Sequence, residues 1–399
     1  MNRLDYSELI LLNNLIYLEW EASEGENLFD IIENILKGDN LQTLVDKASN
    51  CIGSMTAKEW INILELILND SNMKNITVTN IENDISGMRA ACFVYEYDTV
   101  YVVFRGTTTL KEWEDNGQGA YEYDTKQQIC ALDYINKLNY KNILVSGHSK
   151  GGNKAQYVTI RSPKINKCIS INGQGFSNEF IEKYKEEIAK NKDKIISLNS
   201  KYDYVNCLFN TIAGEIHYYK TDFQLNPLYY HKVNILVNRN GKLKEETTRS
   251  IFSKIINDFT ISIISDLPKD LKCLITDGII SAIESLLCGK DSSDKILKIL
   301  GSVFIVLIYG RYFQMKETLA LGYSVLQMSL IPLLLWSDFV NIEETQSNEK
   351  YTELIEDIEE KYNALISKIK IDEDKKGYIS SKISNTFNIF INKLKLNKF

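Results

Sequence analysis

Proline, histidine and paired cysteine are scarce in this chain, and each scarcity excludes something. Four prolines in 399 residues leave no room for a proline-rich linker or recognition tract. With 44% hydrophobic residues the chain has enough apolar material for a substantial core. The seven cysteines (Cys51, Cys92, Cys130, Cys168, Cys207, Cys273 and Cys288) stand singly, with no Cys-x-x-Cys pair. That spacing fits buried, reduced thiols and argues against a disulfide framework or a zinc site. Positive charge is not in excess either: 46 Lys and Arg face 53 Asp and Glu, a net charge of −7, which argues against a generic nucleic-acid surface. The lysine-rich segments near 183–194 and 361–399 are mixed in sign and read as solvated helix faces. A signal peptide is not evident. Leu9 to Leu18 is apolar, but Asp5 and Glu8 precede it, Asn13 and Asn14 interrupt it, and no small-residue cleavage site follows, so the expected location is cytoplasmic.

What is present is concentrated in residues 142–152, Asn-Ile-Leu-Val-Ser-Gly-His-Ser-Lys-Gly-Gly. Ile143, Leu144 and Val145 make the short apolar run of a buried parallel strand. Asn153 to Ile160 carries Ala155, Val158 and Thr159 at helical spacing. Between them, Gly147-His148-Ser149-Lys150-Gly151 fits a nucleophile elbow, the tight strand-to-helix turn that exposes a serine hydroxyl at the sheet edge. Side chains at Gly147 or Gly151 would crowd the neighbouring strand or helix. The helix behind the serine turns its amides and positive dipole end toward any negative charge that develops there. Ser149 is the candidate nucleophile. Alone, the five-residue pattern also fits an ordinary glycine turn, and the flanking strand and helix are what favour the elbow.

Elsewhere the pattern divides the chain. Residues 4–69 show helical spacing in Leu9, Leu12, Ile16 and again in Ile61, Leu64, Leu68, predicting an N-terminal helical layer. Ala91 to Tyr97 and Val100 to Phe104 read as two tightly joined strands. A helix over Thr125 to Leu138, the elbow strand, a strand over Lys167 to Ile171, a charged helix over Asn178 to Lys190 and a strand over Lys194 to Leu198 follow. Ile216 to Lys220 and Val233 to Asn238 are later strand candidates. The alternation predicts an α/β class fold, a three-layer sheet with reactive loops at the carboxyl ends of its strands. Beyond about Gly241 the chain reads as helical, giving two expected parts: 1–240, and an all-helical C-terminal region over 241–399. Two uncharged stretches lie there, Ile299 to Gly310 and Thr318 to Ser337. The second reaches the length of a membrane span, but Gly322, Gln327 and Pro332 interrupt it, so buried core helices, able to cover a site as a lid, come first, a hairpin making peripheral membrane contact through 299–337 second and a true span third. Glu343 to Lys395 reads as an exposed amphipathic helix pair.

A serine hydroxyl needs a base, and the base needs an acid to hold its tautomer. The chain holds three histidines, His148, His217 and His231. His148 lies inside the elbow, where its side chain is directed away from the serine oxygen. His217 and His231 remain, and the order serine, acid, histidine places both correctly. Asp203 follows the Lys194 to Leu198 strand, with Asp222 in reserve. His231, in an irregular stretch, is preferred over His217, which falls within a strand. A second oxyanion donor is expected from the loop Arg105-Gly106-Thr107, the Thr107 amide joining that of Lys150.

Gly147-His148-Ser149-Lys150-Gly151-Gly152-Asn153, with Phe104-Arg105-Gly106-Thr107, Trp113 and Asp115, resembles the Mbeg-like family of bacterial α/β-hydrolases, a domain of unknown function related to class 3 lipases. Asn172-Gly173-Gln174-Gly175-Phe176 resembles the family's next loop, with Gln174 where proline is usual; the tryptophan often found shortly after the family's histidine is missing. The resemblance runs over about residues 5–240. It implies an α/β-hydrolase-like fold and a triad of Ser149, Asp203 and His231, without naming a substrate. The expected function is a serine hydrolase of carboxylic esters, on a small-molecule ester or lipid-like substrate, using neither metal nor organic cofactor. The competing expectation is a non-catalytic protein on the same scaffold, acting through its helical C-terminal half at a membrane surface or on a protein partner.

Overall fold

A computed structural model describes residues 4–38, 41–49, 55–84, 87–96, 98–108, 123–224, 226–265, 272, 330–332, 334–369 and 376–397. The valine- and aromatic-rich runs form the middle of a nine-stranded mixed sheet whose spatial order is the order of the chain. Its strands are β1 (Glu26–Asn27), β2 (Thr77–Asn83), β3 (Arg89–Glu96), β4 (Thr99–Phe104), β5 (Asn142–His148), β6 (Ile165–Ile171), β7 (Ile195–Ser200), β8 (Glu215–Tyr219) and β9 (Glu246–Thr247). β4 through β8 are mutually parallel, and the outer pairings are antiparallel.

This order dictates the layers. Parallel neighbours need crossovers, crossovers are right-handed, and steps taken always in one direction put every crossover helix on the same face. α5 (Lys126–Lys137), α6 (Lys150–Arg161), α7 (Asn178–Lys183) and α8 (Lys185–Asn191) accordingly lie between these strands, and Ala131, Ile135, Ala155, Val158 and Phe180 pack on Val102, Phe104, Val145 and Cys168. The opposite face is left to the N-terminal layer: α1 (Tyr6–Leu15), α2 (Leu28–Lys37), α3 (Leu41–Ser49) and α4 (Ala57–Leu68). Leu12, Ile16, Ile32 and Leu64 pack there on Tyr101, Val103, Leu144 and Ile169. Alternate residues of β3, β4 and β5 thus serve alternate cores.

A third core joins the C-terminal helices α9 (Ile251–Ser265), α10 (Trp336–Thr345), α11 (Asn348–Ile369) and α12 (Lys376–Leu396) to the loops after β7 and β8. Its members include Tyr202, Tyr204, Phe209 and Tyr230 from those loops, and Phe259, Trp336, Tyr362 and Phe390 from the helices.

Four readings need correction. Val233 to Asn238 is not a strand. Asn234–Leu236 is a short 3-10 turn, with Ile235 and Leu236 buried and a lone bridge from Val237 to Leu243. A short apolar run buried on all sides carries no period that separates the two states. The charged helix breaks at Tyr184 into α7 and α8. α11 and α12 are not an exposed pair: their apolar sides, with Tyr351, Ile358, Phe387 and Leu394, are buried in the third core. Strands β1, β2 and β9 go unread, two of them only two residues long. The stretch Ile299 to Gly310 lies outside the described residues; of Thr318 to Ser337 the described end includes Leu330, Ile331 and Trp336, all buried. No helix among the described residues is long and apolar enough to cross a membrane. Cys92, Cys168 and Cys207 are buried free thiols, and Cys130 is a partly buried one.

Candidate functional site

The sharp turn at the end of β5 is set by backbone. Ser149 has φ 57° and ψ −124°, a conformation that L residues rarely hold, and α6 begins at the next residue. Its amide donates to the Ile171 carbonyl (3.0 Å) and its carbonyl accepts from Asn153 (3.1 Å), tying the turn to β6 and to the helix. A Cβ on Gly147 would overlap the carbonyl group of Gly151, and one on Gly151 would overlap the Phe104 carbonyl oxygen. The close approach of strand and helix therefore requires both glycines.

β4 brings its carboxyl end alongside. A Cβ on Gly106 would stand 3.2 Å from Ser149 Cβ, so the Arg105-Gly106-Thr107 loop abuts the elbow. Buried Arg105 anchors that loop through Glu19 (2.6 Å) and the Gly87 carbonyl (2.9 Å). Thr107 is buried there, and Lys150 opens α6. Trp113 and Asp115 lie outside the described residues.

β7 supplies the carboxylate. Asp203 is fully buried, accepting from the backbone amides of Asn206 (2.8 Å) and Val205 (3.3 Å). Its Oδ1 stands 2.7 Å from His231 Nδ1. His231 ends a 3-10 turn, Pro227–His231, and the Ser200 hydroxyl donates to the preceding Tyr230 carbonyl (2.6 Å). Because the carboxylate accepts on the Nδ1 side, the neutral ring carries its proton there and leaves Nε2 as the basic atom. Neither Ser149 Oγ nor His231 Nε2 has a hydrogen-bond partner among the described residues.

His217 goes elsewhere. It bridges Glu215 and Glu246, each at 2.6 Å, while Asp222 meets Lys244 at 3.1 Å. Burial pulls the His217 pKa down, but hydrogen bonds and charge from Glu246 and Glu215 outweigh it and the net shift is upward. Among the described residues no group of three or more His, Cys, Asp and Glu is placed to hold a metal ion.

Several residues that support this cluster escape a reading of the sequence. The Asn172 side chain accepts from the Ser200 amide (2.8 Å), joining the ends of β6 and β7. Asn13 Nδ2 bonds the Leu9 carbonyl at 2.8 Å and also reaches the Ser146 hydroxyl in β5. Tyr17 meets His148 Nδ1 at 2.8 Å. The available signal is the pair of asparagines that interrupts an otherwise apolar helix: a buried amide needs partners, and α1 packs directly under the elbow strand.

The Mbeg1-like family model matches residues 68–277, just over half of the chain. The chain belongs to the Mbeg1-like family. Within this Mbeg1-like chain the matched segment includes Ser149, Asp203 and His231 and begins after α1, so Tyr17 and Asn13 lie before it, as α10, α11 and α12 lie after it. No curated protein matches the chain.

Proposed function

We propose that this Mbeg1-like protein is a serine hydrolase of carboxylic esters with an α/β-hydrolase type of site, acting on acyl or lipid-like substrates. One observation carries the reading: a serine in a strained strand-to-helix turn lies at the same rim of the sheet as a buried carboxylate paired at 2.7 Å with a histidine whose other nitrogen has no hydrogen-bond partner among the described residues. In this reading Ser149 attacks the ester carbonyl while His231 Nε2 takes the hydroxyl proton. His231 then returns that proton to the leaving alcohol oxygen, giving an acyl-serine that water cleaves by the same route. Buried Asp203 stabilises the imidazolium and holds its tautomer. The amides of Lys150 and Thr107 stabilise the oxyanion, each such donor contributing about 3 kcal/mol to the transition state. The gap between Ser149 and His231 closes on substrate, since catalytic hydrogen bonds are commonly long in the free enzyme.

A fluorophosphonate probe tests this directly. The full chain should be labelled on Ser149, and Ser149→Ala should lose labelling and the hydrolysis of short p-nitrophenyl esters while melting at the wild-type temperature. A wild-type chain left unlabelled, or a Ser149→Ala chain that still turns over ester, would end the reading.

A further inference from the structure

His148, the elbow residue that precedes Ser149, is fully buried and has both ring nitrogens engaged. Nε2 lies 2.8 Å from the His231 carbonyl oxygen and Nδ1 lies 2.8 Å from the Tyr17 hydroxyl. A carbonyl only accepts, so Nε2 carries the proton, and Nδ1 accepts from the tyrosine. The ring centroids of His148 and His231 are 4.6 Å apart. On the far side, the Ser200 hydroxyl grips the neighbouring Tyr230 carbonyl at 2.6 Å. Consecutive carbonyls of the histidine-bearing turn are therefore held by two different strands, β5 and β7.

We propose that Tyr17 and His148 form a positioning pair that fixes the main chain of His231, coupling the N-terminal helical layer to the base of the site. The proposal rests on the hydrolase reading for its consequence, but the lock itself is a matter of geometry. His148 suits the task because it stays uncharged: burial first, and then the neighbouring His231, push its pKa well below the ordinary histidine value. A second imidazolium 4.6 Å from a ring that must itself become charged would oppose catalysis. A neutral ring transmits position without adding charge.

The chain's three histidines make the test tractable, because ¹⁵N imidazole spectra of the full protein then hold three sets of ring signals, assignable by single substitution. His148 should appear as the Nε2–H tautomer and stay untitrated from roughly pH 5 to 9. His148→Leu removes both hydrogen bonds and should displace the His231 ring signals; Tyr17→Phe should displace them less. His148→Gln keeps a donor and an acceptor and should restore them. Fluorophosphonate labelling should fall on the order of 100-fold in His148→Leu and recover most of that loss in His148→Gln. Thermal melts of each variant separate these changes from unfolding, and Tyr17→Phe keeps the test open if His148→Leu does not fold. A titrating His148, or His231 signals unmoved in both His148→Leu and Tyr17→Phe, would overturn the lock. An unlabelled wild type with the expected spectra would overturn the hydrolase reading and leave the lock standing.

Discussion

Ser149 and Asp203 follow two parallel strands of one sheet, yet they are held by opposite means. The serine is placed by backbone: glycines without side chains, a strained φ, and carbonyls of β4 and β6 within contact. The aspartate is placed by side chains that reach its loop from 48 to 143 residues further along the chain. Trp336 Nε1 donates to the Tyr202 carbonyl (3.0 Å), its indole meets the Tyr204 ring edge-on at 5.2 Å, and Lys201 pairs with Glu343 (3.2 Å) and Glu344 (3.1 Å). Asn257 of α9 donates to the Cys207 and Phe209 carbonyls at 2.7 and 2.8 Å. A rigid turn needs only its own sequence, whereas a loop long enough to reach across a rim needs something to pack against. The C-terminal helices supply that support.

The sharpest way to break the first half is Gly151→Ala. The added methyl would overlap the Phe104 carbonyl oxygen and stand 2.9 Å from the Arg105 carbonyl carbon, both main-chain atoms that cannot move aside. Overpacking against backbone should cost about 3 kcal/mol or more, read as a lower urea midpoint, and Ser149 labelling should go with it. A variant as stable as wild type would mean that strand and helix are not in contact there.

The second half is tested by Trp336→Phe, which keeps an aromatic ring but removes the donor to Tyr202. A buried carbonyl left without its partner costs roughly 1 to 3 kcal/mol. Labelling of Ser149 should slow several-fold, because the loop carrying Asp203 loses an anchor while the elbow does not. Slower labelling with undiminished stability would sharpen the comparison further, separating positioning from folding. Unchanged labelling and stability together would show that the helices do not support the loop.

The same contrast explains what a reader of the sequence sees. The elbow is legible because steric demands on Gly147 and Gly151 are local and leave a five-residue trace. Asp203 and His231 are legible in outline from chain order, as loop residues after successive strands. Their supports are not: Tyr17, Asn172, Ser200 and Trp336 look like ordinary core or turn residues, and only the folded chain brings them to the rim. Trp336 makes the point well. It falls within the uncharged stretch read first as buried core, and it is indeed only 1% exposed, but nothing in the sequence marks it as the residue that holds the loop carrying Asp203. Strand β2 is hidden for a different reason: it is polar, partly exposed and broken by Asn80 at φ 49°, so it lacks both the apolar alternation and the continuity by which strands are read.

The smallest effect belongs to the histidine left outside the site. His217, between Glu215 and Glu246, has a pKa raised on folding. A group whose folded value exceeds its unfolded one, about 6.5 for histidine, stabilises the fold fully below that unfolded value, and the contribution disappears as pH rises through the folded one. Glu215 and Glu246 are 55% and 58% exposed, so solvent screening limits the gain to about 0.5 kcal/mol. Wild type should therefore exceed His217→Gln in stability by that small margin at pH 5.5, and the two should converge under alkaline conditions, in denaturation curves at fixed ionic strength. Ser149 labelling should be the same in both proteins. Labelling lost in His217→Gln but kept in His231→Gln would exchange the two histidines, which the 2.7 Å contact between His231 and Asp203 argues against.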